Sequence, residues 1–276
     1  MALTKLKDMN LKNIKDKICD IAIEVGDYVK EECNKFNKND IEVKSKNSLV
    51  SYVDKMAEEK IVVVLENLLP EAGFIAEEGT SDKKGEYYNW IIDPLDGTTN
   101  FMYGIPIYSI SIALKYNNEI IIGVVYEPNN KECFSAFKNG GAFLNNKPIK
   151  VSNISKISDS LFATGFPYYD YKKLNSYLEI LKWLMYNSRG IRRIGSAAVD
   201  LCYVACGRYE GFYEYSLNAW DVAAGALLVK EAGGAVTDFK GENNFIFGRE
   251  IVASNNCITK EFQYKIFNSY IAIESN

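Results

Sequence analysis

Residues 90–100 read Trp-Ile-Ile-Asp-Pro-Leu-Asp-Gly-Thr-Thr-Asn, an apolar run that ends in a turn carrying two carboxylates. The run predicts a buried strand closed by Asp93. Pro94, which has no N–H to give, is expected to break any continuing ladder. Asp96 follows three residues after Asp93. Gly97, Thr98 and Thr99 then offer backbone N–H groups that can face an anion, and Gly97 lets the backbone approach closely. If a short helix begins here, its free N–H groups and dipole favour phosphate oxygens. Two carboxylates beside such a nest point to a divalent cation holding a phosphate. Taken alone, Asp93 and Asp96 fit ordinary turn chemistry equally well, since Asp-Pro and Asp-Gly are common in turns.

Outward from the turn, periodicity organises the chain. Leu11, Ile14, Ile18, Ile21, Ala22, Val25 and Val29 predict an amphipathic opening helix. Residues 42–53 read as extended and turn-rich. Asp54 opens a second helix running to Leu69, where Pro70 closes it. Phe74-Ile75-Ala76 is a short strand delivering Glu77 and Glu78, and residues 87–92 form the next. Residues 108–116 and 119–126 flank Asn117-Asn118 as a hairpin, followed by strands at 131–137 and 142–144. The first half, residues 1–150, is therefore expected to be α+β, with two helices covering a largely antiparallel sheet. Residues 151–276 read as α/β: strands near 161–166, 192–194, 211–214, 236–238 and 251–254 alternate with helices around 177–184, 196–206 and 220–232. Gly233-Gly234 caps the last of these. With no flexible linker, the halves are expected to share one rigid interface.

Composition narrows the chemistry. Among 276 residues there is no histidine, 32 Lys+Arg stand against 36 Asp+Glu, and the formal net charge is −4. Without imidazole there is no Ser-His-Asp or Cys-His nucleophile, no His-ligated zinc and no phosphohistidine. The charge balance argues against nucleic-acid binding, which needs a basic face. Cys19, Cys33, Cys133, Cys202, Cys206 and Cys257 form no C-x-x-C pair and read as reduced thiols of a cytoplasmic protein. The N-terminus lacks the apolar run of a signal peptide, and no stretch has membrane-spanning length. A soluble protein without a membrane partner is expected.

Glu77, Asp93, Asp96 and Asp221 all sit at the ends of predicted elements, where open α/β folds build ligand sites. Together they would repel strongly unless cations neutralised them. Two or more Mg²⁺ ions resolve that conflict, and paired metals about 3.5–4 Å apart can activate water and meet a leaving oxygen. The Thr98 hydroxyl could orient that water if Asp54 accepts its proton.

The motif W-I-I-D-P-L-D-G-T-T-N-F, with A-E-E-G around Glu77 and W-D-V-A-A-G-A-L-L-V-K-E-A-G-G from Trp220, resembles the inositol monophosphatase family. The likeness runs from Leu49–Asp54 to Val252–Asn256. It implies a layered helix–sheet sandwich of the inositol monophosphatase and fructose-1,6-bisphosphatase type. It also implies a Mg²⁺-dependent, lithium-sensitive phosphatase, a hydrolase using two or three metal ions and assembling as a homodimer. By position, Glu77, Asp93 and the Leu95 carbonyl would hold the first metal, and Asp93, Asp96 and Asp221 the second, with Glu77 helping to hold a third. Thr98 with Asp54 matches the pair that orients the nucleophilic water, which makes Thr98, Asp54 and Glu77 the catalytic set. Asp96, Gly97 and Thr98 would line the phosphate, while Gly195, Ser196, Ala197, Glu214 and Asp221 would contact the alcohol.

Inositol monophosphate is the substrate expected first. The alternatives are a fructose-1,6-bisphosphatase, a 3′-phosphoadenosine nucleotide phosphatase, or a non-catalytic regulatory binding protein on the same fold. Two departures bear on that choice: Ser48 stands where many members carry Asp, and Asn218 occupies a position that varies with substrate class. Without the resemblance, Glu214 reads as a solvated strand-end carboxylate, and Lys44 and Lys46 as a solvated face. The Cys202-to-Arg208 spacing fits a C-x5-R phosphatase, but Cys202 is placed in mid-helix and reads as a packed core thiol. Aspartyl-nucleophile phosphatases place their two Asp one residue apart, which the Pro94-containing spacing does not match.

Overall fold

A computed structural model of the protein describes residues 10–35, 42–45, 48–50, 52–168 and 170–274. Helix α1 (Leu11–Cys33) begins at Asn10, whose side chain accepts the Asn13 N–H at 3.0 Å. That is N-capping, which satisfies a backbone donor the helix itself cannot. Strands β1 (Glu42–Ser45) and β2 (Ser48–Val50) pair antiparallel and lead into α2 (Tyr52–Leu68). The extended stretch thus ends at Val50, and helix starts before Asp54 and draws that carboxylate into its first turn.

A seven-stranded sheet follows, in the order β3 (Gly73–Ala76), β4 (Tyr88–Asp96), β5 (Ser109–Tyr116), β6 (Glu119–Glu127), β7 (Glu132–Phe137), β8 (Gly141–Leu144), β9 (Lys147–Ile149). Only β3 and β4 run parallel; every other neighbouring pair is antiparallel. Side chains alternate along β4: Trp90 and Ile92 join α1 and α2 on one face, and Ile91 turns to the other.

That second face is covered by the later half of the chain. Helix α3 (Thr98–Met102) lies between β4 and β5, and after β9 come β10 (Leu161–Thr164), α4 (Leu174–Asn187), β11 (Gly190–Arg192), α5 (Ala197–Ala205), β12 (Gly211–Tyr215) and α6 (Ala219–Glu231). Strands β13 (Ala235–Thr237) and β14 (Glu250–Ser254) and helix α7 (Thr259–Glu274) complete the described residues. The second sheet has the order β11-β10-β12-β14-β13, parallel through β12 and antiparallel beyond it. Helices α5 and α6 lie between the sheets, packing on Ile91, Ala113 and Val125 on one side and Phe212, Ile251 and Ala253 on the other. On the outer face of the second sheet, α4 and α7 cover Phe162, Tyr213, Tyr215 and Val252. The layers therefore run helix, sheet, helix, sheet, helix, the α/β sandwich that the sequence implies.

Helix α6 ends where Gly233 (φ +91°) and Gly234 return N–H groups to the carbonyls of Lys230 and Val229, a Schellman closure at the predicted glycines. Its close seat on β6 depends on Gly123. A Cβ at Gly123 would lie 2.7 Å from the Ala224 carbonyl oxygen and 3.0 Å from its Cα. Backbone cannot yield there as a side-chain tip could, so Gly123→Ala is expected to destabilise the protein by about 1–3 kcal/mol. Urea unfolding with an unchanged m-value would read this as a fall in midpoint.

Candidate active site

The site grows from an irregularity in β4. Its residues pair with β5 at Asp93↔Ser111 and again at Asp96↔Ser109, so three steps on β4 oppose two on β5. The expectation that Pro94 ends the ladder is corrected here. Strand β4 runs on to Asp96, because proline falls inside the bulge, where no N–H is required of it. The bulge turns Asp93 and Asp96 toward one region. Asp93 is 1% exposed and its Oδ1 accepts the Leu95 N–H at 3.0 Å.

Gly97 then takes φ +95° and starts α3 at Thr98. A Cβ at Gly97 would crowd the carbonyl oxygens of Ile107 at 3.1 Å and Gly195 at 3.2 Å, so glycine is needed for space as well as for backbone angle. The Thr98 hydroxyl stands 2.9 Å from the Leu95 carbonyl oxygen and 3.3 Å from Asp54 Oδ1. Its single proton serves one of these acceptors at a time.

The second half reaches the same place through two helix starts. The side chain of Asn100, in α3, donates to the carbonyls of Ile107 at 2.7 Å and Ile194 at 2.8 Å. This fixes the loop before Gly195 (φ +92°). Ser196 caps α5 and donates to Asp96, which also accepts the Ala198 N–H at 2.8 Å. In the first turn of α6, Asp221 accepts the Asn218 N–H at 2.6 Å.

Asp93, Asp96 and Asp221 thereby bring ligating oxygens within 4.8 Å of one another. Burial, then Glu77, Asp96 and Asp221, push the Asp93 carboxyl well above its ordinary value. Burial raises Asp96 to about 6 despite the Ser196 hydroxyl and the N–H groups of Ala198 and Ala197. Burial and then Asp96 raise Asp221 to about 7. Hard oxygen donors crowded at this cost fit a divalent cation such as Mg²⁺. Glu77 continues β3, its N–H reaching the Ile92 carbonyl at 3.2 Å, and it bears electrostatically on Asp93. It is not among the three carboxylates that converge within 4.8 Å, and it lines the same pocket beside them.

Gly195, Ser196, Ala197 and Glu214 line the same pocket as Thr98 and Asp221. Glu214 is not the solvated group that a strand-end carboxylate suggests. It is 5% exposed, and burial, followed by Asp221, pushes its carboxyl well up. Gly165 makes room for it, since a Cβ there would lie 2.1 Å from the carboxylate. Cys202 is fully buried in α5, and burial holds its thiol well above the ordinary value. Arg208 is engaged with Glu132, so the C-x5-R spacing forms no anion site. Lys46 lies outside the described residues, as do the side chains of Lys44 and Ser48.

Sequence reasoning missed four polar side chains of the pocket: Tyr168, Arg193, Asp200 and Ser216. Arg193 donates to the Tyr168 hydroxyl and lies over the Phe166 ring, while the side-chain atoms Asp200 Oδ1 and Ser216 Oγ are buried without a hydrogen-bond partner. An alternating-polarity reading places Asp200 in a helix but not which face of that helix meets a cleft. The arginine pair before Gly195 was the one available signal.

The family model described as the inositol monophosphatase family matches residues 10–272. A protein of Pseudomonas aeruginosa named Nus factor SuhB is 40% identical over 239 residues, covering 85% of this chain and 88% of its own. One of Mesorhizobium japonicum named inositol-1-monophosphatase is 38% identical over 240 residues, covering 87% and 90%. The crystal structure of extragenic suppressor protein suhB from Bartonella henselae superposes with a TM-score of 0.86 at 36% identity, covering 92% of this chain and 98% of that one. No helix among the described residues is long and apolar enough to cross a membrane.

The raised carboxyls tie metal-free stability to pH. Asp96 and Asp221 hold protons more tightly folded than unfolded, where 3.8 is the ordinary value. Their contribution to stability is present below the unfolded value and lost as pH rises through about 6 and about 7. A divalent cation such as Mg²⁺ held by these groups would compete with those protons, so any rise in Tm that it confers should be small near pH 5 and grow toward pH 8. Thermal unfolding with Mg²⁺ or with chelator across this range measures it; a Mg²⁺ effect independent of pH would contradict the assignment.

Proposed function

The chain belongs to the inositol monophosphatase family, and on that premise we propose that it is a Mg²⁺-dependent phosphomonoesterase acting on a small phosphate ester, with inositol monophosphate first among candidates. The observation that carries the reading is the convergence of Asp93, Asp96 and Asp221 within 4.8 Å beside the start of α3, in a chain that has no histidine. When bound, divalent cations supply the acidification of water and the charge that meets a departing alkoxide. Asp93, Asp96 and Asp221 would hold them, with Glu77 and the Leu95 carbonyl completing the ligands as the resemblance implies. Gly97 and Thr98 offer N–H groups to the phosphate oxygens. The Thr98 hydroxyl orients the attacking water and can pass its own proton to Asp54. Gly195, Ser196, Ala197 and Glu214 receive the alcohol. On this reading residues 1–150 carry most of the metal ligands, and residues 151–276 carry Asp221 and the substrate contacts.

Phosphate release from inositol monophosphate, fructose 1,6-bisphosphate and 3′-phosphoadenosine nucleotides, each with and without Mg²⁺, tests the reading and ranks the substrates. Asp96→Asn is expected to lower kcat/KM by more than the ~100-fold that loss of a ligand's supporting partner can cost. Thr98→Ala is expected to lower kcat by roughly 100-fold or more. Turnover surviving chelation would overturn the metal mechanism. We further propose a cytoplasmic homodimer inhibited by lithium; sedimentation and LiCl titration address the last two.

A second reading, a regulatory binding role, is favoured by the name Nus factor SuhB carried by the Pseudomonas aeruginosa relative. Inactivity across the ester panel together with capture of a defined partner would favour it over hydrolysis.

A further inference from the structure

Glu58 is fully buried in α2, yet the phosphatase reading gives it no task. Its carboxylate accepts two backbone N–H groups, from Glu78 at 2.7 Å and from Thr80 at 2.8 Å. These donors are two residues apart and converge because Gly79 between them takes φ +72°. Successive N–H groups turned inward by a left-handed residue form an anion-binding nest. Here the anion comes from the chain's own α2. The glycine of the Ala-Glu-Glu-Gly stretch is required by backbone angle alone, because a Cβ on Gly79 would meet nothing within 4 Å.

The nest begins one residue beyond Glu77. On its other side Glu77 continues β3 and is held to β4, through its N–H to the Ile92 carbonyl at 3.2 Å. The segment is thus fixed before Glu77 by a strand pairing and after it by a buried carboxylate. Glu77 and Asp93 line one pocket, and the two anchors restrain the segment against the repulsion between these carboxylates.

We propose that Glu58 is a positioning residue: by filling the nest formed by residues 78–80 it holds Glu77 beside Asp93, and so sets the affinity of the metal ion that Glu77 helps to bind. The inference rests on the phosphatase reading for the role of Glu77, but the nest itself does not. Asp93, Asp96 and Asp221 depend on β4 and α6 rather than on this loop. Loss of Glu58 should therefore weaken the Glu77-dependent ion and leave the site formed by those three in place.

The test uses the full chain and two variants. Glu58→Gln keeps the shape but sets an NH2 donor against one of the two N–H groups. Gly79→Ala strains the nest from the other side and leaves α2 untouched, so it decides the matter if Glu58→Gln does not fold. Calorimetric titration with Mg²⁺ should show the Glu77-dependent event weakened about 10- to 100-fold in either variant, the range for loss of a group that supports a metal ligand. Amide exchange at residues 78 and 80 should quicken, and kcat should recover at saturating Mg²⁺ while the half-saturating concentration rises. Folded variants that bind Mg²⁺ like the parent would overturn the proposal, even with faster exchange. A parent that binds no Mg²⁺ would instead overturn the phosphatase reading and the metal role of Glu58 with it, while protected amides at 78 and 80 would still locate the nest.

Discussion

Helix α6 touches both sheets at once, and its seat between them is the constraint on which the remaining geometry depends. Its sequence, Ala-Trp-Asp-Val-Ala-Ala-Gly-Ala-Leu-Leu-Val-Lys-Glu, keeps the first sheet close through small residues, and Leu201 of α5 packs over its Gly225. Because the helix is fixed by packing, Asp221 in its first turn is placed against Asp93 and Asp96 by the core and not by a loop. Raising Asp221 from 3.8 to about 7 corresponds to something on the order of 4 kcal/mol at neutral pH. Full burial of a Leu or Val contributes roughly 1.5–3 kcal/mol, so a few residues such as Leu228 and Val229, both fully buried on this helix, are enough to hold it.

Much of this was legible in the chain because it is local. The opening helix, the Asn117-Asn118 hairpin and the glycine stop of α6 each rest on a periodicity or a backbone angle carried by neighbouring residues. The turn after Trp90 was legible for the same reason, down to the short helix at Thr98. Pro94 misled because its effect depends on the partner strand: only β5 reveals that the missing N–H falls in a bulge. Strand β9 and the closing helix α7 went unread, being short in the first case and mixed in polarity in the second. Which sheet covers which helix is also a matter of long-range packing. The expectation of two helices over the first sheet left its second face unassigned, and α5 and α6 occupy it.

The candidate site divides along the same line. Asp93, Asp96, Gly97 and Thr98 share one turn, and their association needs no tertiary information. Arg193, Asp200 and Ser216 come from three different elements and have no motif of their own, so only the fold brings them to one wall. The difference is also chemical. The first set is acidic and crowded, suited to hard cations. The second mixes one guanidinium with buried carboxyl and hydroxyl groups, a surface suited to discriminating polar ligands by hydrogen-bond pattern.

Asn100 joins these two regions, since one amide group holds both the Ile107 carbonyl of the first half and the Ile194 carbonyl just before Gly195. The turn at Gly97 and the start of α5 are therefore a fixed span and not two independently drifting loops. On the proposed phosphatase reading, a span of constant length acts as a gauge, setting the distance from the ester oxygen to the first polar group of the alcohol. Diversification within such a scaffold can proceed by exchanging side chains at the far end of the gauge, around Tyr168, Ser216 and Asn218, while the near end stays untouched. If the proposed activity holds, one hydrolytic end can serve many alcohols, and divergence between relatives should collect on that distant wall.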